Sequence, residues 1–221
     1  NRKKLDLLLS QNRRMVSSLW LVKIRYLLSP HFIFNVLNQE VVNRKEEEKQ
    51  ELVSLVKLMR RNLELAEQLC VTLAEELDFV KTYIDLERRS LGATFHPVIE
   101  IAGDVLPESV WLPSMMIQIP VENSVKHALR GKEGKRNLWI AADRREGGVC
   151  IRITDNGGGY HPESRNRGTG TGMKVIMQTI QILNMKNQAA IDISVHNVTF
   201  PSGETGCEVT FLLPDKYDYR I

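Results

Sequence analysis

The first forty residues carry the pattern of a long helix buried along one side, whose length favours a dimer seam over one face of a globular core helix. Leu5, Leu8, Asn12, Met15, Leu19, Val22, Tyr26, Ser29, Ile33 and Val36 alternate spacings of three and four, the a/d pattern of a coiled-coil seam. Asn12 within that seam costs stability but pins register and strand number. Pro30 falls inside the pattern as well. It lacks a backbone donor and should kink the helix beside His31. After a polar stretch over residues 43–49, Leu52, Leu55, Val56, Met59, Leu63 and Ala66 mark a second amphipathic helix. Two such helices joined by a short connection make a hairpin, and two hairpins make a four-helix bundle. Residues 1–68 are therefore expected to form a dimerising helical hairpin.

Near residue 70 the pattern changes. Thr72-Leu73-Ala74-Glu75 is a capping box that opens a helix through Phe79, Tyr83 and Leu86 to about Leu91, with Gly92 as its C-cap. Beyond it the sequence alternates apolar and polar residues. Strands are expected over 95–102, 138–142, 149–154, 191–195 and 208–213, and helices over 114–129 and 172–184. Gly147-Gly148 between the second and third strands makes that pair a hairpin. The chain is thus α+β, with a mainly antiparallel sheet backed by helices over 69–214 and a tail over 215–221.

Composition narrows the function. A net charge of +3 on 221 residues, with no basic block interleaved with aromatics, argues against nucleic acid. No run of about 18 apolar residues is present, so no transmembrane helix is expected within the chain. The three cysteines, Cys70, Cys150 and Cys207, have no CxxC spacing, which fits a reducing compartment and no zinc site. The chain starts at Asn1 rather than at methionine, as expected of a piece of a longer protein.

The residues that carry chemistry lie in four places. His31 sits in Ser29-Pro30-His31-Phe32-Ile33-Phe34-Asn35-Val36-Leu37-Asn38, and a neutral imidazole is a good nucleophile near pH 7. There is no GxxxxGK[ST], so any nucleotide site is not a P-loop. Instead, Glu122-Asn123-Ser124-Val125-Lys126-His127 places an amide, an ammonium and an imidazole on one helical face. The Asn123 amide oxygen suits Mg²⁺, and Lys126 or His127 could meet phosphate charge. Asp155-Asn156-Gly157-Gly158-Gly159-Tyr160 follows a strand. It offers a buried carboxylate for an exocyclic amine such as adenine N6, beside glycines that permit close backbone approach. A hairpin turn at Asn156-Gly157 is the plainer alternative. Arg167-Gly168-Thr169-Gly170-Thr171-Gly172-Met173 opens a helix, where backbone N–H groups can face an anion. The polar, glycine-rich segment from Asn156 to Thr171 is expected to be a lid.

In this order the pieces resemble the ATP-binding fold shared by gyrase, the heat-shock chaperone ATPases, histidine kinases and MutL. With Pro30-His31-Phe32-Ile33-Phe34-Asn35-Val36-Leu37-Asn38 upstream, the chain is similar to the LytS/YehU-type sensor histidine kinases from about Tyr26 to Pro214. That family carries Pro-His-Phe-Leu-Phe-Asn-x-Leu-Asn and Glu-Asn-x-x-x-His. The resemblance implies that His31 is the phosphoacceptor, with Asn35 in an orienting role, and that Asn123 holds Mg²⁺. It further implies that Asp155 reads adenine, that Gly157 and Gly159 form a first glycine box, and that Gly170 and Gly172 form a second. It implies ATP and Mg²⁺ as cofactors, a homodimer, and a response-regulator receiver domain as partner. The chain would be the cytoplasmic portion of an inner-membrane protein whose sensor region lies upstream. Three positions depart from the family. Met173 and Val175 stand where leucine and asparagine are usual, and Pro120 is one place later than the usual proline. An acidic residue follows the histidine in many other histidine kinases; here it is Phe32. Val175 and Phe32 motivate the alternative of a dimeric nucleotide-binding scaffold that relays conformation without transferring phosphate. Ile119, where a water-activating glutamate would stand, argues against a gyrase-like ATP-hydrolysing clamp.

Overall fold

The computed structural model describes residues 61, 68–160 and 171–219. The heptad with Asn12 and Pro30, the helical hairpin, His31, Asn35, Gly170 and most of the expected lid lie outside the described residues. Strand β1 (Cys70–Thr72) pairs antiparallel with β3 (Trp111–Pro113), and between them run helix α1 (Leu73–Leu91), a 3₁₀ turn (Gly92–Thr94) and β2 (Phe95–Ile101). Thr72 caps α1 as the sequence predicts. Its hydroxyl accepts from the Glu75 N–H at 3.3 Å while the Glu75 carboxylate accepts from the Thr72 N–H at 2.9 Å. Gly92 ends α1 at φ +68°, a conformation that favours glycine.

Helix α2 (Gln118–Asn123) is followed directly by a π turn (Ser124–Leu129), then β4 (Arg136–Arg145), β5 (Gly148–Asp155), α3 (Thr171–Asn184), β6 (Asp192–Thr199) and β7 (Thr205–Pro214). The larger sheet has the order β2-β4-β5-β7-β6. Its β2–β4 pair is parallel and every other pair antiparallel, in line with the mainly antiparallel sheet expected. Gly147 turns the β4–β5 hairpin at φ +82°. Alternate residues of each strand point to one face. On that face Leu138, Ile140, Ile151, Ile153 and Phe211 pack with Phe79 and Tyr83 of α1, Ile119 of α2 and Ile176 of α3 in one core. The opposite face carries an ion pair, Arg152 with Asp143 at 2.9 Å, and a polar contact of His196 with Glu208 at 3.2 Å.

Two expectations need correcting. The helix expected over 114–129 begins only at Gln118, because Met115 adopts φ +70° and breaks the helical path. Its second half then widens into the π turn, with the Arg130 N–H bonded to the Val125 carbonyl at 2.9 Å. Periodicity reads an apolar face but not the hydrogen-bond span behind it. Strands β1 and β3 were also unforeseen, since three residues each are too short to show alternation. Residues 215–219, expected as a tail, lie against the end of α3. There the Tyr217 hydroxyl donates to the Asn184 side chain at 2.6 Å, and the Asp218 N–H donates to Asn187 at 2.7 Å.

Candidate nucleotide site

Two of the separated sequence pieces meet through one hydrogen bond. Ser124, first residue of the π turn and next to Asn123, donates its hydroxyl to Asp155 Oδ2 at 2.7 Å. Asp155 ends β5 and is 2% exposed. Its Oδ1 accepts from the Gly157 N–H at 2.8 Å, and the backbone of Cys207 on β7 donates as well. Burial raises the pKa of this carboxyl above the usual aspartate value, while the hydrogen bonds from Ser124, Gly157 and Cys207 pull the other way and leave a net rise.

The Gly157 requirement comes from packing within the chain. A Cβ there would lie 2.3 Å from the Ala128 Cβ and 2.8 Å from its Cα, so only glycine lets the end of β5 pass the π turn this closely. Gly158 and Gly159 follow at φ +96° and +87°, and the Gly158 N–H donates to the Thr205 carbonyl of β7 at 3.0 Å. Asn197 on β6 then clasps the Tyr160 backbone, accepting from its N–H at 2.5 Å and donating to its carbonyl at 3.2 Å. Asn156 is no hairpin turn. Its side chain accepts from the Asn137 N–H at 2.8 Å and donates to the Lys135 carbonyl at 3.1 Å, sealing the start of β4.

On α2 and the π turn the three polar groups have different surroundings. The Asn123 amide is half-buried and makes no hydrogen bond among the described residues. Lys126 donates to Glu122 Oε2 at 2.9 Å, and the Gln118 amide donates to Glu122 Oε1 at 2.9 Å, so the Lys126 ammonium is turned to a buried carboxylate. His127 has its pKa lowered, first by burial and then by the neighbouring Lys126 charge, and is a neutral imidazole at pH 7. Gly172 is buried near the start of α3. Val175, one turn on, is 1% exposed. It belongs to the packed side of α3.

Three participants were not singled out from sequence. Ser124 reads as part of the Asn123 segment, and nothing in its neighbours points to a partner 31 residues later. Asn197 sits in an ordinary edge strand. Glu76 reads as one of two acidic residues in the first turn of α1, a common dipole preference, yet it is completely buried. Among the described residues no three His, Cys, Asp or Glu side chains gather as a metal cage. The Asn123 amide oxygen is a hard donor of the kind that Mg²⁺ accepts alongside water.

Comparison with known proteins finds similarity in both halves of the chain. Residues 21–95 match the family described as histidine kinase, and residues 113–217 match the family of histidine kinase-, DNA gyrase B- and HSP90-like ATPases. The sensor protein LytS of Bacillus anthracis is 28% identical over 203 residues, 86% of this chain and 33% of that protein. The sensor histidine kinase BtsS of Escherichia coli K12 is 31% identical over 146 residues, 65% of this chain and 26% of that protein. The chain thus spans about a third of the length of the curated relatives it matches. Among solved structures, the mycobacterial sensor histidine kinase MprB aligns with a TM-score of 0.47 and 17% identity, over 67% of this chain and 98% of that one. Among the described residues no helix is long and apolar enough to cross a membrane.

Proposed function

We propose that this chain, which belongs to the LytS-type sensor histidine kinases, phosphorylates its own His31 from ATP and passes the phosphoryl group to an aspartate of a response regulator. One observation carries the reading. The motif around His31 falls inside the histidine-kinase match, directly upstream of an ATPase-type module that implies ATP binding.

Within that module Asp155 is the base reader. A carboxylate offers about four acceptor positions, and donors from Ser124, Gly157 and Cys207 leave room for the exocyclic amine of adenine. Gly157 and Gly159 shape the wall beyond it. Gly170 and Gly172 lead into α3, whose N-terminal amides suit a phosphate. Asn123 would hold Mg²⁺, and His127, neutral, would donate a hydrogen bond at the phosphate side. Lys126 keeps Glu122 neutralised beside Asn123. The cation, when bound, offsets charge on the phosphate oxygens. Everything else is positioning.

The transfer needs no further co-reactant. A ring nitrogen of neutral His31 attacks the γ-phosphorus in line, with Asn35, four residues on, to orient the ring. The N–P bond forms as the bond from phosphorus to the bridging oxygen breaks, its electron pair leaves with ADP, and the surplus ring proton goes to water. A receiver-domain carboxylate then attacks the phosphorus, the N–P bond breaks with its electron pair left on the ring nitrogen, and that nitrogen takes a proton back from water, regenerating neutral His31. We place residues 1–68 in a homodimeric helical region, 69–214 in the catalytic region, and the membrane-bound sensor upstream of this chain, which would lie in the cytoplasm.

The test is incubation with γ-labelled ATP and Mg²⁺. Label that survives alkali but not acid, and that His31→Gln abolishes while nucleotide binding persists, is the expected result. Label retained by His31→Gln would overturn the assignment.

A further inference from the structure

Helix α2 is held at both ends by buried carboxylates. At its far end Ser124, the residue after Asn123, donates to Asp155. At its near end Glu76, reaching across from α1, accepts the backbone N–H groups of Met115, of Ile117 at 3.1 Å and of Gln118 at 3.1 Å. The first amides of a helix need acceptors, and α2 has no side-chain cap of its own. Met115, Met116, Ile117 and Ile119 are fully buried, so these amides have no solvent to turn to. Met115 stands at φ +70°, which is strained for a residue with a side chain and persists only where the surroundings hold it. The same corner receives the chain from upstream. Ser114 donates through its hydroxyl to the Gln68 carbonyl at 2.6 Å and through its N–H to the Leu69 carbonyl at 2.9 Å.

We infer that Glu76 is a positioning residue, which fixes the N-terminus of α2 and so sets where Asn123 stands relative to Asp155. It thereby governs the metal and phosphate half of the nucleotide site without touching nucleotide. The inference rests on the proposed role of Asn123 as the Mg²⁺ ligand. Both Glu76 oxygens are used, Oε1 by Met115 and Oε2 by Ile117 and Gln118. Glutamine in its place keeps one acceptor and turns an NH₂ group against an N–H. The Ser124–Asp155 bond is untouched, so only one end of α2 is released.

Two measurements on the 221-residue chain test this. In nucleotide-free protein, Glu76→Gln should speed hydrogen exchange at Met115, Ile117 and Gln118 while leaving Ile151 and Ile153 of β5 unchanged. ADP affinity is then titrated with Mg²⁺ and with EDTA for the parent chain, Glu76→Gln, Glu76→Asp and Asn123→Ala. Support of a metal ligand is worth about ten- to a hundredfold, so Glu76→Gln and Asn123→Ala should both lose about that much of the Mg²⁺-dependent gain, with affinity in EDTA held within about twofold. Glu76→Asp, which keeps two acceptors on a shorter stem, should fall between. If Asn123→Ala loses the gain and Glu76→Gln keeps it, Glu76 does not position the site and the metal assignment stands. If Asn123→Ala keeps the gain, the metal assignment fails and the inference with it. Equal losses in Mg²⁺ and EDTA for Glu76→Gln would reduce Glu76 to a general fold contact and overturn the inference. Should Glu76→Gln not fold, Glu76→Asp decides by the same criteria.

Discussion

Ser124→Ala removes one hydroxyl and, with it, the bond that joins the two halves of the site. That bond is 2.7 Å long, between side chains that are both buried. A hydrogen bond to a charged acceptor contributes about 1.5–3 kcal/mol, and burial of Asp155 puts this one toward the upper end. The loss should be tempered because Gly157 and Cys207 still donate to the same carboxylate. Ser124→Ala is therefore expected to lower unfolding free energy in urea by about 2 kcal/mol near neutral pH. The pH dependence has a definite sign. Burial already raises the folded pKa of Asp155 above 3.8, and the Ser124 hydroxyl opposes that rise. Stability tied to a raised carboxyl is present below the unfolded pKa and lost as pH rises through the folded one. Without the hydroxyl the folded pKa climbs further, so the deficit of the variant should be small below pH 3.8 and grow to a plateau at neutral pH. A double-mutant cycle with Asp155→Asn isolates the pair. A deficit below about 0.5 kcal/mol at pH 7, or one independent of pH, would refute a charged Ser124–Asp155 bond.

Gly157→Ala would drive a methyl group into Ala128 and should cost about 1–3 kcal/mol of stability as overpacking. Because the Ala128 carbonyl carbon at 2.7 Å and Cα at 2.8 Å stay in place, adding Ala128→Gly should recover at most part of that in urea unfolding, and full recovery would mean that the backbone of the π turn is not what the methyl group meets. His127 should titrate by NMR below its ordinary value of 6.5. The stability tied to its neutral ring is present above that value and lost as pH falls through the lowered one. A titration above 6.5 would contradict the desolvation and the Lys126 charge that lower it. Tyr217→Phe removes the donor to Asn184 from a hydroxyl whose pKa is pushed up to about 12 by burial, and should lower stability by about 1 kcal/mol. An unchanged thermal midpoint would show that residues 215–219 do not brace α3.

What the sequence conveyed follows from which forces leave a local trace. The Thr72–Glu75 capping box, the Gly92 stop and the Gly147-Gly148 hairpin are short-range devices, and each stands where the residues put it. Alternation located all five strands of the larger sheet, missing their ends by a few residues because ladders run on past the last apolar side chain. Asp155 was legible as a carboxylate at a strand end. What Gly157 meets was not, since Ala128 lies far back in the chain and nothing local distinguishes a glycine facing a ligand from one facing a helix. The break at Met115 was hidden for the same reason. Ser114 to Leu129 is continuously apolar enough for one helix, and its path is set by Glu76, about 40 residues away. Charge that acts across the fold has no period.

The charges around Asn123 lead to one more expectation. Among the described residues, the cation nearest in sequence to Asn123 is Lys126, and its ammonium is directed to Glu122 at 2.9 Å. His127 is held neutral by burial and by that same ammonium, and Asn123 itself brings only an amide dipole. A triphosphate placed beside these groups meets little net positive charge from them, because Glu122 offsets Lys126 at short range. Neutralisation then falls to the divalent cation that accompanies the nucleotide, and its contribution should grow with each added phosphate. Adenosine affinity should thus be indifferent to Mg²⁺, ADP affinity should depend on it, and ATP affinity should depend on it most. Releasing Lys126 by Glu122→Gln should flatten that series, since a lysine freed of its carboxylate could itself meet the phosphates. If the Mg²⁺ dependence of ATP binding is instead unchanged by Glu122→Gln, the pairing of Lys126 with Glu122 is not what makes the site rely on the cation.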